Sequence, residues 1–246
     1  MKISIPSSFR ILLVQMRDSD DCMKTQEVRC FQTALQCDRH QIEIFDLTTK
    51  VAFSNQQLQL NDLVIIGGSG NYSVADGGPW WQSAAENMVK LYDISKPSFA
   101  SCWGFQAMAR ALGGEVVTDL SRAEVGTLQI ALTPSGLEDP VFGAGPELLD
   151  AQFGHQDIVE RLPNNAVCLA STDRVPNQAM MFSGKPIYGT QFHPELNRQS
   201  LIERIQAYPQ YVENIAGIPV QQFMTQCHET PDSMDLLRRF VRHTCL

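Results

Sequence analysis

The strongest constraint on the fold of this chain is a series of short apolar runs separated by stretches of helical spacing. RILLVQ (Arg10–Gln15) reads as a first buried strand, and QIEIFDL (Gln41–Leu47) alternates with a period of two. DLVIIGG (Asp62–Gly68) is a buried strand closed by glycines, and PSFASC (Pro97–Cys102) is a strand that runs straight into a helix. Helical patterns occupy Lys24–Gln36 and Trp80–Ile94. Strands alternating with helices of about 10–15 residues predict a parallel sheet with both faces covered, because each crossover lays a helix on the sheet.

The middle of the chain changes character. Gly126–Gly136, Leu148–Asp157, Ala166–Asp173, Gln178–Gly184 and Pro186–Glu195 read as strands separated by turns, a mixed or antiparallel extension of the same sheet. The tail returns to helix: Thr230, Pro231 and Asp232 suit an N-cap, a first-turn proline and an acidic first turn. Leu237, Phe240, Val241 and Thr244 share one face, and Arg238, Arg239 and Arg242 suit the C-terminal end. With no linker, repeat or low-complexity run, the expectation is one three-layer α/β domain over 1–246, with about 196–246 as a helical extension.

Charge narrows the partners. A formal net charge of -8 lacks the basic face that a general nucleic-acid or anionic-membrane binder needs, so neither partner is expected. Pro6, Ser7, Ser8 and Arg10 interrupt the apolar start, so no export signal is expected and a reducing cytoplasm is the default location. The seven cysteines include no CxxC pair, and Cys227-His228 has no second pair to complete a zinc site, so neither metal nor other cofactor is expected.

One cysteine differs from the rest. Phe105, Met108, Ala109 and Leu112 follow Cys102 at helical spacing, which puts Cys102 in a sharp strand-to-helix corner between the small residues Ala100 and Gly104. Such a corner presents a thiol at the C-terminal edge of the sheet. The helix N-terminus favours thiolate, and the free Trp103 N–H points to where an oxyanion would develop. The elbow alone leaves open that Cys102 is a small buried hydrophobe. A base is available in YGTQFHPE: Pro194 biases His193 to extended backbone, and there Glu195 lies on the same side as His193 and can orient its ring, a structural His-Pro turn with a solvated Glu being the alternative for the segment alone.

Together, SCWGFQ and GTQFHPE resemble the nucleophile and base motifs of the class I (triad) glutamine amidotransferases, commonly G-x-C-x-G-x-Q and F-H-P-E. VIIGGSGNYSV stands where that family has its glycine-rich oxyanion strand, and FGHQD resembles the segment lining its glutamine pocket. The likeness covers nearly the whole chain and is nearest to stand-alone GMP synthase-like members, which share such a tail. It implies a flavodoxin-like mixed sheet flanked by helices. It also implies hydrolysis of the glutamine side-chain amide through a γ-glutamyl thioester on Cys102, with His193 and Glu195 completing the triad. By the same resemblance Gly68 and Trp103 supply the oxyanion hole, with the register around Gly67–Gly70 open by about a residue. Gln106 and Gly104 belong to the motif beside the substrate. His155, Gln156 and Asp157 are candidates for the pocket wall, a structural role at a strand end being the alternative. Two positions depart from the pattern: Ala100 replaces a glycine, and Gly-Gly-Ser-Gly replaces the more usual Gly-Gly-Pro.

The chain contains neither a G-x-x-x-x-G-K-[ST] phosphate loop nor an SGGxDS segment. Ammonia is therefore expected to pass to a separate synthetase. The alternatives are a stand-alone γ-glutamyl hydrolase or peptidase, and a non-catalytic regulatory protein on the same fold, against which the intact Cys102, His193 and Glu195 weigh. An apolar patch including Trp80 and Trp81 would offer a partner a docking surface; the same residues also suit the core at a helix start.

Overall fold

The computed structural model describes residues 5–246; residues 1–4, which open the expected domain, lie outside the described residues. The chain runs β1 (Ile11–Gln15), α1 (Met23–Leu35), β2 (Ile42–Asp46), α2 (Asn55–Leu60), β3 (Leu63–Ile66), α3 (Trp81–Asp93), β4 (Ser98–Ser101) and α4 (Trp103–Ala111). It continues β5 (Glu115–Thr118), β6 (Glu124–Leu132), α5 (Pro134–Glu138), β7 (Leu148–His155), β8 (Asp157–Arg161), β9 (Ala166–Ser171), β10 (Ala179–Phe182) and β11 (Ile187–Thr190). The remainder is helical: α6 (Arg198–Ala207), α7 (Pro209–Ala216), α8 (Val220–Met224) and α9 (Pro231–Thr244).

Nine strands form a mixed sheet in the order β2-β1-β3-β4-β11-β10-β9-β6-β7. Pairings from β2 to β11 are parallel, and those from β11 onward to β7 are antiparallel. Alternation along each parallel strand sorts its side chains between two cores. Ile11, Leu13, Ile42, Leu63, Ile65 and Phe99 pack with Phe31 of α1 and Leu236, Leu237 and Phe240 of α9. Leu12, Val14, Val64, Ile66 and Ala100 pack with Met88 and Leu91 of α3 and Phe105 and Met108 of α4. Thus α9, although last in the chain, is one of the helices that cover the parallel sheet.

Several expectations shift. β5 and β8 form a separate antiparallel ribbon, so the apolar run from Leu148 divides at Gln156 between two sheets. β6 stops at Leu132 because Thr133 caps α5, its hydroxyl accepting the Gly136 N–H at 3.0 Å. β11 ends at Thr190, leaving the segment through Glu195 as an ordered loop at the sheet edge. Thr230 does not cap α9 with its side chain; the hydroxyl is buried without a hydrogen-bond partner, while Pro231 takes the first helical turn. No helix of the described residues is long and apolar enough to cross a membrane.

Candidate active site

The parallel strands deliver their loops to one edge of the sheet, the C-terminal edge where open α/β folds place sites. Arg17 follows β1, Gly67–Gly70 follow β3, Cys102 follows β4 and His193 follows β11. Cys102 sits in the elbow at φ 51°, ψ −102°, a region that side-chain-bearing residues rarely adopt. Its N–H donates to the Thr190 carbonyl (2.8 Å), and its carbonyl accepts the Gln106 N–H of α4 (3.1 Å). A Cβ at position 104 would meet the Ile66 carbonyl at 2.6 Å, so only glycine fits there. The departure at Ala100 is absorbed from the other side: its register partner on β11 is Gly189, whose missing side chain leaves room for the extra methyl.

The thiol is 5 % exposed and lines a cavity of about 160 Å³ with Ser69, Gly70, Asn71, Tyr72, Trp103, Gln106, Gln156 and Tyr211. The Sγ donates toward the Gly154 carbonyl (3.9 Å) and accepts from Gln191 Nε2 (3.7 Å). Burial, reinforced by the Glu195 charge, pushes the thiol up to about 12; Arg204 and the Trp103 N–H, which hydrogen-bonds the sulfur, oppose this without reversing it. Burial acts against the pull of the helix N-terminus toward thiolate and so favours the neutral thiol at rest.

His193 is the centre of a dense polar network. Its Nδ1 lies 2.8 Å from Glu195 Oε1, 3.1 Å from Arg204 NH1 and 3.4 Å from Ser101 Oγ. Ser101 Oγ also donates to Glu195 Oε2 (2.9 Å), and Arg204 NH2 donates to Glu195 Oε1 at 3.5 Å. Burial works against charge on Glu195, but the hydrogen bond from His193 and the Arg204 cation help hold that carboxyl down at about 2. Burial also lowers the His193 ring below the ordinary imidazole range, Arg204 acting in the same direction and Glu195 against it. The result is a neutral imidazole facing a carboxylate. A carboxylate only accepts, so Glu195 favours the hydrogen on Nδ1 and leaves Nε2 free to take a proton. No hydrogen bond joins Cys102 to His193 among the described residues.

The other predicted residues divide. Trp103 opens α4 and lines the cavity beside Cys102. The Gly68 N–H instead donates at 3.0 Å to Oε1 of Glu27, a fully buried carboxylate also held by Gln15 Nε2 (2.9 Å) and Arg17 NH2 (3.2 Å). The residues of that glycine loop that line the Cys102 cavity are Ser69 and Gly70, so the register moves toward them. Gln106 donates to the Asp157 carbonyl (2.8 Å) and to Gln191 Oε1 (3.2 Å), tying α4 to the cavity wall. Gln156 lines the cavity. His155 borders it, but both ring nitrogens are engaged, with the Asp157 carbonyl (3.1 Å) and Glu124 Oε2 (3.0 Å). The Asp157 carboxylate accepts from Ser73 Oγ (2.8 Å), the Ala75 N–H (3.1 Å) and Thr118 Oγ1 (2.6 Å), which clamps the loop roofing the cavity.

Trp80 and Trp81 pack against one another (5.9 Å between centroids), Trp80 against Trp103 (5.6 Å), and Arg110 stacks over Trp81 (4.5 Å). They are half-buried at the start of α3 and pack against the core on that face of the sheet. Sequence reasoning missed Ser101, Gln191, Arg17, Arg204 and Tyr211. Gln191 carried a usable signal, since extended backbone puts it on the same side as His193 and Glu195.

A sequence model of the family described as Glutamine amidotransferase class-I matches residues 18–203. The chain is 36% identical over 111 residues to the GMP synthase [glutamine-hydrolyzing] of Shewanella oneidensis, covering 43% of this chain and 21% of that protein. It spans about a quarter of the length of the curated relatives it matches. A solved glutamine amidotransferase from Thermotoga maritima superposes with a TM-score of 0.73 at 19% identity, over 97% of this chain and 98% of the other. A solved glutamine amido transferase from Methylobacillus flagellatus gives a TM-score of 0.69 at 16% identity, over 96% and 95% of the two chains.

Proposed function

The chain belongs to the class I glutamine amidotransferase family, and from that premise we propose that it hydrolyses the side-chain amide of glutamine, or a related γ-glutamyl bond, through a thioester on Cys102. The observation that carries this reading is the neutral, carboxylate-oriented imidazole of His193 at the same sheet edge as a strained-elbow thiol. The substrate amide enters the Cys102 cavity with its carbonyl oxygen toward the Trp103 N–H and the backbone of Ser69–Gly70.

The thiol gives its proton to Nε2 of His193 as Sγ bonds to the amide carbon, so thiolate and imidazolium arise only in the presence of substrate. Glu195 stabilises the imidazolium. His193 then protonates the departing nitrogen as the C–N bond breaks, releasing ammonia and leaving the γ-glutamyl thioester. Water entering that site loses a proton to His193, attacks the thioester carbon and releases glutamate, and the proton returns to sulfur. For the proton transfer the thiol turns from the Gly154 carbonyl toward the ring, a rearrangement usual between resting and substrate-bound sites.

The likeness to glutamine-hydrolysing GMP synthases supports delivery of the ammonia to a separate acceptor enzyme. Incubation with glutamine and with a panel of γ-glutamyl compounds, read by glutamate release and by mass-spectrometric trapping of the Cys102 acyl-enzyme, tests the reading. Glutamate release that is absent in Cys102→Ala is the expected result. Equal rates for wild type and Cys102→Ala refute it, and turnover of γ-glutamyl peptides with free glutamine inert moves the assignment to a stand-alone γ-glutamyl hydrolase.

A further inference from the structure

Arg204 lies one residue beyond the stretch matched by the family, on a helix that belongs to the C-terminal tail. Its guanidinium nevertheless reaches the centre of the site, and its side chain is only 11% exposed. The local sequence explains how. Asn197, two residues after Glu195, caps α6: its Oδ1 accepts the Ser200 N–H (2.8 Å), and Ser200 Oγ accepts the Asn197 N–H (3.0 Å). That box fixes the start of α6 directly after the His-Pro-Glu loop. Leu201 and Ile205 bury one face of the helix, and Arg204 stands on that face between them. Helical side chains lean toward the N-terminus of their helix, so Arg204 extends back over the loop from which α6 began.

The guanidinium is held in place from three sides. Nε donates to Gln26 Oε1 of α1 (3.0 Å), NH1 faces His193 Nδ1 (3.1 Å) and NH2 faces Glu195 Oε1 (3.5 Å). Gln26 is itself buried and anchored, its Nε2 donating to the Ser200 carbonyl (2.8 Å) and Glu203 Oε2 (3.2 Å). We infer that Arg204 is a positioning residue of the dyad: a fixed cation that holds the Glu195 carboxylate and keeps the His193 ring neutral in the resting site.

The surroundings of His193 single out this one cation. Its own loop supplies Glu195, β4 and its elbow supply Ser101 and Cys102, the loop after β1 supplies Arg17, and α6 supplies Arg204. Tyr208 and Tyr211 line the small cavity on the same side, and Glu27 of α1 stands behind Arg17 and Gly68, holding both. Arg17 is committed to Asp21 (3.0 Å) and Glu27 (3.2 Å), whereas Arg204 has its charge directly on Nδ1. A positive charge at hydrogen-bond distance from an imidazole opposes its protonation, and low dielectric in a buried site magnifies the effect. Burial is the larger cause of the low His193 basicity, and Arg204 adds to it against the pull of Glu195. The tail thereby contributes to the pH below which the proposed base is lost.

This inference rests on the reading of His193 as the base, but its test does not need turnover. Histidine labelled with carbon-13 is titrated by NMR in wild type, Arg204→Gln and Arg204→Lys, with His193→Gln identifying the resonance among the five histidines. Arg204→Gln is expected to raise the His193 midpoint by about one pH unit, and Arg204→Lys to leave it within a few tenths. The acid limb of glutamine hydrolysis moves up with it in Arg204→Gln and stays in Arg204→Lys. A wild-type midpoint in Arg204→Gln, or equal midpoints in the Gln and Lys variants, overturns the role of the charge. Should Arg204→Gln not fold, Gln26→Leu releases the guanidinium and is expected to raise the midpoint by a smaller amount; no movement there overturns the inference equally. A wild-type protein inert on every γ-glutamyl substrate removes the proposed function while the titration still decides the place of Arg204.

Discussion

The two ends of the proposed reaction are built in opposite ways. Cys102 is held by its backbone in a strained elbow, but its sulfur is loosely held, 3.9 Å from the Gly154 carbonyl and 3.7 Å from Gln191 Nε2. His193 has an ordinary backbone setting and a side chain surrounded by Glu195, Ser101 and Arg204 at 2.8 to 3.4 Å. One side is fixed in position and free in chemistry, the other fixed in both. A neutral thiol beside a pinned neutral imidazole stores no standing ion pair, so reactivity depends on a proton transfer that substrate completes. That arrangement protects a cysteine from adventitious alkylation and oxidation, since thiolate is the reactive form.

The largest expected effect is removal of the loosely held partner. Cys102→Ala should lower glutamate release by about a thousandfold or more, because no thioester can form. Glu195→Gln breaks the other side: an amide can present a donor to Nδ1 and so favour the wrong tautomer, for a loss of about a hundredfold or more. Steady-state rates of both variants check this. Glu195→Gln at wild-type rate would mean that Arg204 and Ser101 alone suffice to orient the ring.

The same contrast has a pH signature. A thiol near 12 carries a thiolate fraction that rises about tenfold per pH unit through neutral and mildly alkaline solution. Iodoacetamide modification of Cys102 in the substrate-free protein should therefore climb without a plateau between about pH 7 and 9. A flat profile above pH 7 would show a standing thiolate and sink the neutral-thiol account. Catalysis should behave differently, because the base works only when neutral. Burial lowers the His193 ring, and a lowered basicity delays protonation, so kcat/KM should hold through pH 6.5 and fall only below it.

The unequal construction also explains what could be read from the sequence. The nucleophile side is a local matter. Apolar runs make β1, β3 and β4 strands, the spacing after Cys102 makes α4 a helix, and Gly104 answers to a contact only one strand away. The base side was legible only as far as chain neighbours allow, which covers His193 and Glu195. Arg204 is placed by a helix cap and by Gln26 of α1, and Ser101 by parallel pairing of β4 with β11; none of these follows from local periodicity. The trace of Arg204 in the sequence was a charged residue on the apolar face between Leu201 and Ile205. Gly68 failed as an oxyanion donor for the same reason, since the carboxylate that takes its N–H comes from Glu27 on another element. The ribbon of β5 and β8 was missed because Glu115–Thr118 is short and Asp157–Arg161 continues an apolar run with a single-residue break.

A smaller effect probes the backbone that fixes Cys102. Gly104→Ala places a Cβ 2.6 Å from the Ile66 carbonyl, so α4 must shift away from β3. Overpacking of this kind costs about 1–3 kcal/mol and should appear as a lowered urea midpoint with an unchanged m value. It should also cost activity, because the elbow moves with the helix. A variant as stable and active as wild type would show that the elbow is less tightly set than the side chains opposite it.

The smallest expected effect tests a side chain of the His193 loop that reaches the Cys102 sulfur. Gln191 donates to the Cys102 sulfur at 3.7 Å, while its Oε1 accepts from Gln106 at 3.2 Å. A single N–H on a sulfur that gains charge only during reaction is worth about 0.5–1.5 kcal/mol, so Gln191→Leu should lower kcat/KM about three- to tenfold. Gln191→Glu keeps nearly the same shape and substitutes a carboxylate. Its charge opposes the thiolate, so it should lose more than Gln191→Leu, and the gap should narrow as the pH falls and the carboxylate takes a proton. If Gln191→Glu instead matched or exceeded Gln191→Leu, sulfur would not be gaining negative charge beside position 191, and the donor role of Gln191 toward it would be refuted.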